Sequence, residues 1–147
     1  MGRLTALILA LALLVTACGD DGDDASSDDS GGSASEVTFD DLVGKTFEST
    51  SVTGHELVPD SVVTLEFIDG RISANAGCNT QNGDADVVDG VLEVGQLAST
   101  MMACEDPLMT QEQWLSGFLE DGPEVALDGT TLTLTSGDVV LELTEPS

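Results

Sequence analysis

The feature that most constrains the fold is a series of Asp-Gly pairs between short runs rich in Val, Thr and Leu. The pairs that separate such runs are Asp69-Gly70, Asp89-Gly90 and Asp128-Gly129. Asp-Gly favours the two-residue turns that join antiparallel strands. Parallel strands would instead need a long crossover connection after each run. The pattern therefore predicts an antiparallel meander.

The runs alternate apolar and polar residues, as half-buried strands do. In one of them Val63, Leu65 and Phe67 fall on the same face. Asn82-Gly83 predicts one further turn. The predicted strands are residues 45–52, 61–67, 71–74, 84–88, 91–94, 124–127, 130–135 and 139–143.

One helix is predicted between these strands. Asp106 is suited to the N-cap, Pro107 fits the first helical position, and Gly122-Pro123 ends the helix. The apolar side chains that share one face of it are Leu108, Leu115, Phe118 and Leu119, with Trp114 at the border. We expect Trp114 to pack in the core and not to stack on a ligand. The fold class is thus mainly β (α+β).

The first residues predict export. Leu4 to Val15 is an uncharged apolar run, whose length as a helix, about 18 Å, is too short for a hydrocarbon core of about 30 Å. We therefore predict a signal peptide at residues 1–17. Val15-Thr16-Ala17-Cys18 resembles the lipobox of bacterial lipoproteins. This resemblance implies that Cys18 carries acyl chains such as palmitate and anchors the protein at the cell membrane or envelope, on the extracytoplasmic side. Ordinary secretion with an incidental Cys18 is the alternative.

Charge divides the rest of the chain. Residues 18–36 begin with Cys18 and are otherwise small and acidic, which predicts a disordered linker before a domain at residues 37–147. The whole chain holds 28 Asp and Glu against three Lys and Arg, a net charge of −25. A protein this acidic is repelled by nucleic acid, so we expect no nucleic-acid partner.

Cys78 and Cys104 are the cysteines that remain if Cys18 is acylated. Outside the cytoplasm an even pair of cysteines in a small domain typically forms a disulfide. Two buried free cysteines are the alternative. A redox-catalytic pair is disfavoured, because no C-x-x-C motif occurs and no neighbouring cation would lower a thiol pKa.

The other candidate sites carry weaker signals. His55 is the single histidine, and no nucleophile-elbow motif accompanies it, which disfavours a hydrolase. Asp84, Asp86 and Asp89 slightly resemble a calcium loop, but they lack its full acid spacing, and a hairpin turn explains Asp89 better. Asn79, Gln81 and Asn82 suit either a groove or a turn. We predict no catalytic residue, no metal ligand and no cofactor.

Several segments together resemble the META domain family, of the HslJ-like kind. They are the strand-turn-strand that ends in Gly77-Cys78-Asn79, the glycine at Gly83, the segment Thr100 to Cys104, the helix with Gln111-Glu112, and Leu132 to Leu134. The motif residues are Gly77, Cys78, Asn79, Thr100, Met101, Ala103 and Cys104, and the likeness spans about Leu42 to Leu143. Two departures are Asp84-Ala85, where the family often has an aromatic residue, and Phe47, near a common tryptophan.

The resemblance implies a small, strongly curved antiparallel sheet or partial barrel with one packed helix. It also implies a link to the bacterial envelope, to stress and to antibiotic tolerance. We therefore expect a non-enzymatic binding or envelope-maintenance role, with the membrane as one partner through Cys18. The other partner would be an envelope protein or a small apolar ligand. The alternatives are a calcium- or salt-stabilised structural module of the cell surface and a hydrolase.

Overall fold

The computed structural model describes residues Glu36–Ser147. The predicted signal peptide, Cys18 and the predicted linker up to residue 35 lie outside this range. A 3-10 turn at Phe39–Asp41 comes first. The strands are β1 (Thr46–Thr53), β2 (Thr64–Ile68), β3 (Arg71–Asn75), β4 (Thr80–Val88), β5 (Val91–Val94), β6 (Ala98–Ser99), β7 (Glu124–Asp128), β8 (Thr131–Ser136) and β9 (Val139–Thr144), with helix α1 (Asp106–Glu120) between β6 and β7.

Eight of the strands close into an antiparallel barrel. The order around the ring is β1-β2-β3-β4-β5-β7-β8-β9, and β9 pairs back onto β1. The short β6 adds to β4 beside β5. The mainly β class with one helix is confirmed, but the predicted partial barrel is wrong, because the ring is complete. Pairing across its whole circumference leaves the eight strands without a free edge, which local sequence patterns do not reveal.

Two of the three Asp-Gly turns, Asp69-Gly70 and Asp89-Gly90, lie where the sequence predicts them, whereas Asp128 ends β7 opposite Thr131, so that the third turn is shifted by one residue to Gly129-Thr130. Asp89 adopts a positive φ of 51° and Gly90 one of 76°, as a tight hairpin between β4 and β5 requires. A bulge also occurs in β1, where the register on β9 shifts between Ser49 and Ser51. Such an extra residue bends a strand and increases its twist, which helps a short sheet to curve into a barrel.

The turn predicted at Asn82-Gly83 is absent. Both residues lie inside β4, where Gly83 pairs with Ile72 of β3. A Cβ atom on Gly83 would approach Leu97 Cδ2 to 2.9 Å and the Gln96 carbonyl oxygen to 3.2 Å. The glycine therefore makes room for the segment that crosses β4, and its role is close packing, not a turn.

Helix α1 begins close to the predicted position. Its N-cap is Glu105 and not Asp106, so that Asp106 is the first helical residue and Pro107 the second. Leu115, Phe118 and Leu119 are buried as predicted, but Gln111 and Glu112 are buried with them. Within residues 36–147 the structure contains no helix long and apolar enough to span a membrane.

The core fills the inside of the barrel with alternate residues of its strands. Leu132 and Leu134 of β8 lie opposite Leu143 and Leu141 of β9, and all four are fully buried. Phe67 of β2 packs edge-on against Phe39 and Phe47, with ring centroids 5.9 Å apart in each pair. Trp114 is half-buried and packs against this core. The apolar packing expected for it is thus present, at the margin.

Truncating Phe67 should therefore cost more than truncating its neighbour in the same strand. We expect Phe67→Ala to lower the free energy of unfolding by about 3–5 kcal/mol, because it leaves a cavity between two aromatic rings. Ile68→Ala is the matched control, since Ile68 is 44% exposed, and it should cost about 1 kcal/mol or less. Urea unfolding of both variants measures the difference. Equal losses would contradict the packing described here.

Candidate binding site

A disulfide joins Cys78, in the turn between β3 and β4, to Cys104, just before α1. The Cα atoms are 6.1 Å apart and the residues are 26 positions apart in sequence. The predicted pairing is therefore present in the structure. It holds the segment Thr100–Cys104 against the β3–β4 turn.

Gly77 allows this turn to lie close to α1. Its φ is +101°, and a Cβ atom there would lie 3.1 Å from Leu108 Cδ2. Asn75 shapes the same turn, since its Oδ1 accepts a hydrogen bond from the Gly77 N–H at 2.8 Å and its Nδ2 donates to the Asn79 carbonyl at 2.9 Å. A larger residue at 77 would be both strained and crowded.

The buried side chain of Asn79 connects three parts of the structure. Its Oδ1 accepts hydrogen bonds from the Thr100 hydroxyl at 2.8 Å and from the Met102 N–H at 2.7 Å. Its Nδ2 donates to Glu112 Oε2 at 2.9 Å. One amide thus links the β3–β4 turn to the segment after β6 and to α1.

Glu112 is a nearly buried carboxylate, with 7% of its surface exposed. Its Oε1 accepts a hydrogen bond from the Ser99 hydroxyl at 2.7 Å, and Asn79 donates to its Oε2. Burial raises the pKa of Glu112, but the hydrogen bonds from Ser99 and Asn79 outweigh it and leave the pKa below the ordinary value. Glu112 is therefore ionised at neutral pH.

Two glutamines fasten α1 to the barrel beside this carboxylate. Gln111 Nε2 donates to the Ala76 carbonyl and to the Ser61 hydroxyl, both at 2.8 Å. Gln81 Nε2 of β4 donates to Ser116 Oγ of α1 at 2.7 Å. Asn79 therefore lies in the β3–β4 turn and also lines the cavity described below, whereas Gln81 is a residue of β4 that packs against α1 outside that cavity.

Gln111 and Glu112 belong to the family resemblance, but sequence reasoning assigns them no structural role. The signal for them lies in their spacing, because residues 108, 111, 112, 115, 118 and 119 form one helical face. Two polar residues in the middle of an apolar face indicate partners on the facing element. Their partners lie 13 to 53 positions away in sequence, so the spacing alone does not identify them; they are Val58, Ser61, Ala76, Asn79 and Ser99.

An open cavity of about 400 Å³ lies over this network. Asn79, the segment Ser99–Ala103 and three residues of α1 (Met109, Glu112 and Gln113) line it. We call it the methionine pocket, because Met101, Met102 and Met109 all contribute to its wall. Met101 is 98% exposed and Met102 62% exposed. The pocket thus combines an exposed apolar rim with a fixed polar wall.

The predicted motif residues converge at this place. The disulfide adjoins the pocket, because Cys78 Sγ lies 3.8 Å from Met109 Sδ. The residues of the motif that line the pocket are Asn79, Thr100, Met101 and Ala103. Gly77 shapes the adjoining turn. The three acids of the supposed calcium loop lie elsewhere, with Asp84 and Asp86 on β4 and Asp89 in the hairpin turn, as the turn interpretation predicts.

His55 lies in the loop between β1 and β2 and stacks on Trp114 of α1. The ring centroids are 3.9 Å apart and the planes differ by 4°. Partial burial lowers the pKa of His55 below its ordinary value of 6.5. No Ser, Asp or Glu side chain of the described residues forms a hydrogen bond with this ring. The stacking contact therefore joins the β1–β2 loop to α1.

Comparison with known proteins agrees with this architecture. The profile described as the META domain matches residues 40–147. The chain belongs to the META domain family. The predicted family is thereby confirmed, and the match covers the whole barrel, α1 and the methionine pocket. The HslJ-like subtype remains a prediction.

Three solved structures resemble this META domain. A protein structure determined by NMR shares 27% identity with a TM-score of 0.62, and the match covers 74% of this chain and 95% of that one. An NMR structure from Burkholderia xenovorans shares 19% identity with a TM-score of 0.62, over 74% and 86% of the two chains. A crystal structure of a DUF4847 family protein from Bacteroides vulgatus shares 11% identity with a TM-score of 0.51, over 71% and 94%. The last two show the fold alone. A comparison with curated proteins found no match.

The disulfide should contribute strongly to stability. Closing a 26-residue span restricts the unfolded chain and is worth about 3–4 kcal/mol in the chain-entropy model. We expect the Cys78→Ala/Cys104→Ala variant to lose about this much free energy of unfolding in urea titrations. Cys18→Ala, which leaves the bridge intact, is the control and should lose nothing. An equal stability of all three proteins under oxidising conditions would rule out the bridge as a stabilising element.

The stack of His55 on Trp114 should make stability depend on pH. Because the folded pKa of His55 lies below 6.5, the folded state binds this proton less readily than the unfolded state. The contribution of His55 is complete above about pH 6.5 and is lost as pH falls through the folded pKa.

His55→Phe keeps a flat ring on Trp114 and removes the titration. The difference in unfolding free energy between the wild type and this variant should therefore decrease on acidification within that window. Urea unfolding at a series of pH values measures it. A difference that increases on acidification would mean that cation–π attraction to Trp114 outweighs the cost of burial.

Proposed function

We propose that this META domain is a non-enzymatic binding module, held at the outer face of a membrane by lipid on Cys18, whose ligand occupies the methionine pocket. The observation that carries the proposal is the pocket itself, with an apolar methionine rim above a wall of fixed hydrogen-bonding groups. Ligand sites typically combine apolar walls with a few well-placed polar groups. An apolar ligand or the side chains of a partner segment would contact the methionines and align on Asn79 and Glu112.

The polar network suits binding better than catalysis. Both oxygens of Glu112 accept hydrogen bonds from Ser99 and Asn79, and the pKa of Glu112 lies below its ordinary value. A general base needs a pKa near the working pH, and a general acid needs a raised one. His55, with its face on Trp114, lies outside the pocket lining. These arrangements support a role in which the polar groups orient a ligand and do not exchange protons with it.

The anchor completes the proposal. Two or three acyl chains on Cys18 would hold the protein durably, at about 0.8 kcal/mol for each buried CH₂ group. The acidic residues 19–36 would then separate the domain from the membrane surface. A role in envelope maintenance under stress or antibiotic exposure fits a binding module at this position.

Site-specific crosslinking in cells tests this function. A photoreactive amino acid in place of Ala103, an exposed residue of the pocket wall, should give a discrete adduct. The same amino acid at Val88, which is 41% exposed and outside the pocket, should give none. In a Cys18→Ala background we expect the protein to leave the membrane fraction and the adduct to weaken.

Two results would contradict the proposal. One is a crosslinking experiment in which positions 103 and 88 give adducts equally, or in which neither position gives an adduct. The other is turnover of an envelope substrate by the purified protein that His55→Phe abolishes, because that would identify an enzyme.

A further inference from the structure

The distribution of methionine in this chain is unusual. The chain has four methionines, of which Met1 lies outside the described residues. The other three, from two different segments, all line one cavity. Met101 and Met102 expose 98% and 62% of their surface, although burial would be favourable for such apolar side chains. Three methionines that line one solvent-accessible cavity could bring their sulfur atoms to a common ligand.

A second, independent observation concerns the charge on the same wall. Glu112 is more than nine-tenths buried, and its carboxylate accepts hydrogen bonds only from neutral groups, Ser99 and Asn79. Among residues 36–147 the one ion pair joins Lys45 to Glu145, and the pocket lining contains no Lys or Arg. The pocket therefore has a negative charge that no cationic side chain of its wall compensates. Hydrogen bonds from Asn79 and Ser99 stabilise this carboxylate but do not neutralise it, so its charge would attract a cation bound in the pocket.

The donor atoms indicate which cation would suit the pocket. Thioether sulfur is a soft ligand that selects cuprous ion over hard cations such as Mg²⁺ and Ca²⁺, which take oxygen ligands. Within the described part of the chain no three His, Cys, Asp or Glu side chains come together as a metal-binding group. The pocket offers instead three sulfurs and one carboxylate. The thioether sulfurs are ligands that a soft ion prefers, and the single carboxylate charge balances one positive charge.

We propose that Met101, Met102 and Met109, with Glu112 beside them, bind a soft monovalent cation of the cuprous type. This inference rests on the proposed function, in that it takes the methionine pocket to be the ligand site. Methionine side chains have three rotatable bonds and adapt to irregular surroundings, so the exposed Met101 and Met102 can turn toward an ion held near Met109. The disulfide keeps the segment that carries Met101 and Met102 beside α1. The net charge of −25 raises the local concentration of any cation.

Silver ion is the probe, because it is a soft monovalent cation that does not reduce the disulfide. The sample is the full chain with Cys18→Ala, in detergent and chloride-free buffer, with its methionine methyl groups labelled with ¹³C. We expect the methyl signals of Met101, Met102 and Met109 to shift and to saturate near equimolar silver. Sodium and magnesium at the same concentration should shift none of them.

Two variants separate the contributions. Replacing Met101, Met102 and Met109 together by Leu keeps apolar side chains of similar volume but removes the sulfur, and should abolish silver binding. Glu112→Gln removes the charge with little change of shape and should weaken silver binding by about ten- to a hundredfold. Silver binding that survives the triple substitution, or no methyl shift in the parent protein, would overturn the proposal.

The same triple variant distinguishes this inference from the function on which it rests. A partner or apolar ligand that needs only volume would still crosslink from position 103 when leucines replace the methionines. If silver binds but no partner crosslinks from position 103, the ligand of the pocket is the cation and not a partner protein. Crosslinking without silver binding would retain the binding module and reject the cation.

Discussion

The closed ring of eight strands is the constraint on which the rest of the structure depends. Closure gives each of the eight strands a hydrogen-bonded neighbour on both sides and limits the interior to what the inward-facing side chains can fill. Phe47, Phe67 and the leucines of β8 and β9 fill that interior. Helix α1 packs on this core with one face, through Leu115, Phe118 and Leu119. The methionine pocket lies where that face meets the start of β4.

Local sequence patterns predict what local physics determines. Asp89-Gly90 is recognisable as a hairpin because two-residue turns need particular φ values, and Leu115, Phe118 and Leu119 as core residues because helical spacing collects them on one face. Asn82-Gly83 satisfies the same turn rule, and there the prediction is wrong. Its glycine is needed where Gln96 and Leu97 cross β4, a contact between segments that local patterns cannot show.

The binding site, too, is only partly predictable from the sequence. The cysteines and the Gly-Cys-Asn and Thr-Met-Met-Ala-Cys segments mark the site in the sequence alone. The burial of Glu112 does not follow from them, since an isolated glutamate on a helix is ordinarily exposed. It depends on Ser99 and Asn79, which the barrel brings to the carboxylate from positions 13 and 33 residues away. Closure of the ring is equally hidden, because it depends on pairing between β1 and β9.

That pairing has a consequence for how the chain folds. β1 has β2 on one side, but on the other side it must wait for β9, whose register places Glu48 opposite Thr144. The two partners lie at opposite ends of the domain, so the contact has nearly the largest loop-closure entropy available to this chain. Contacts of this separation slow folding and arise late. During synthesis, which proceeds from the N-terminal end, β1 emerges long before its partner. Until β9 follows, the side of β1 that faces away from β2 is an unpaired edge, and the barrel closes only when β9 has been made.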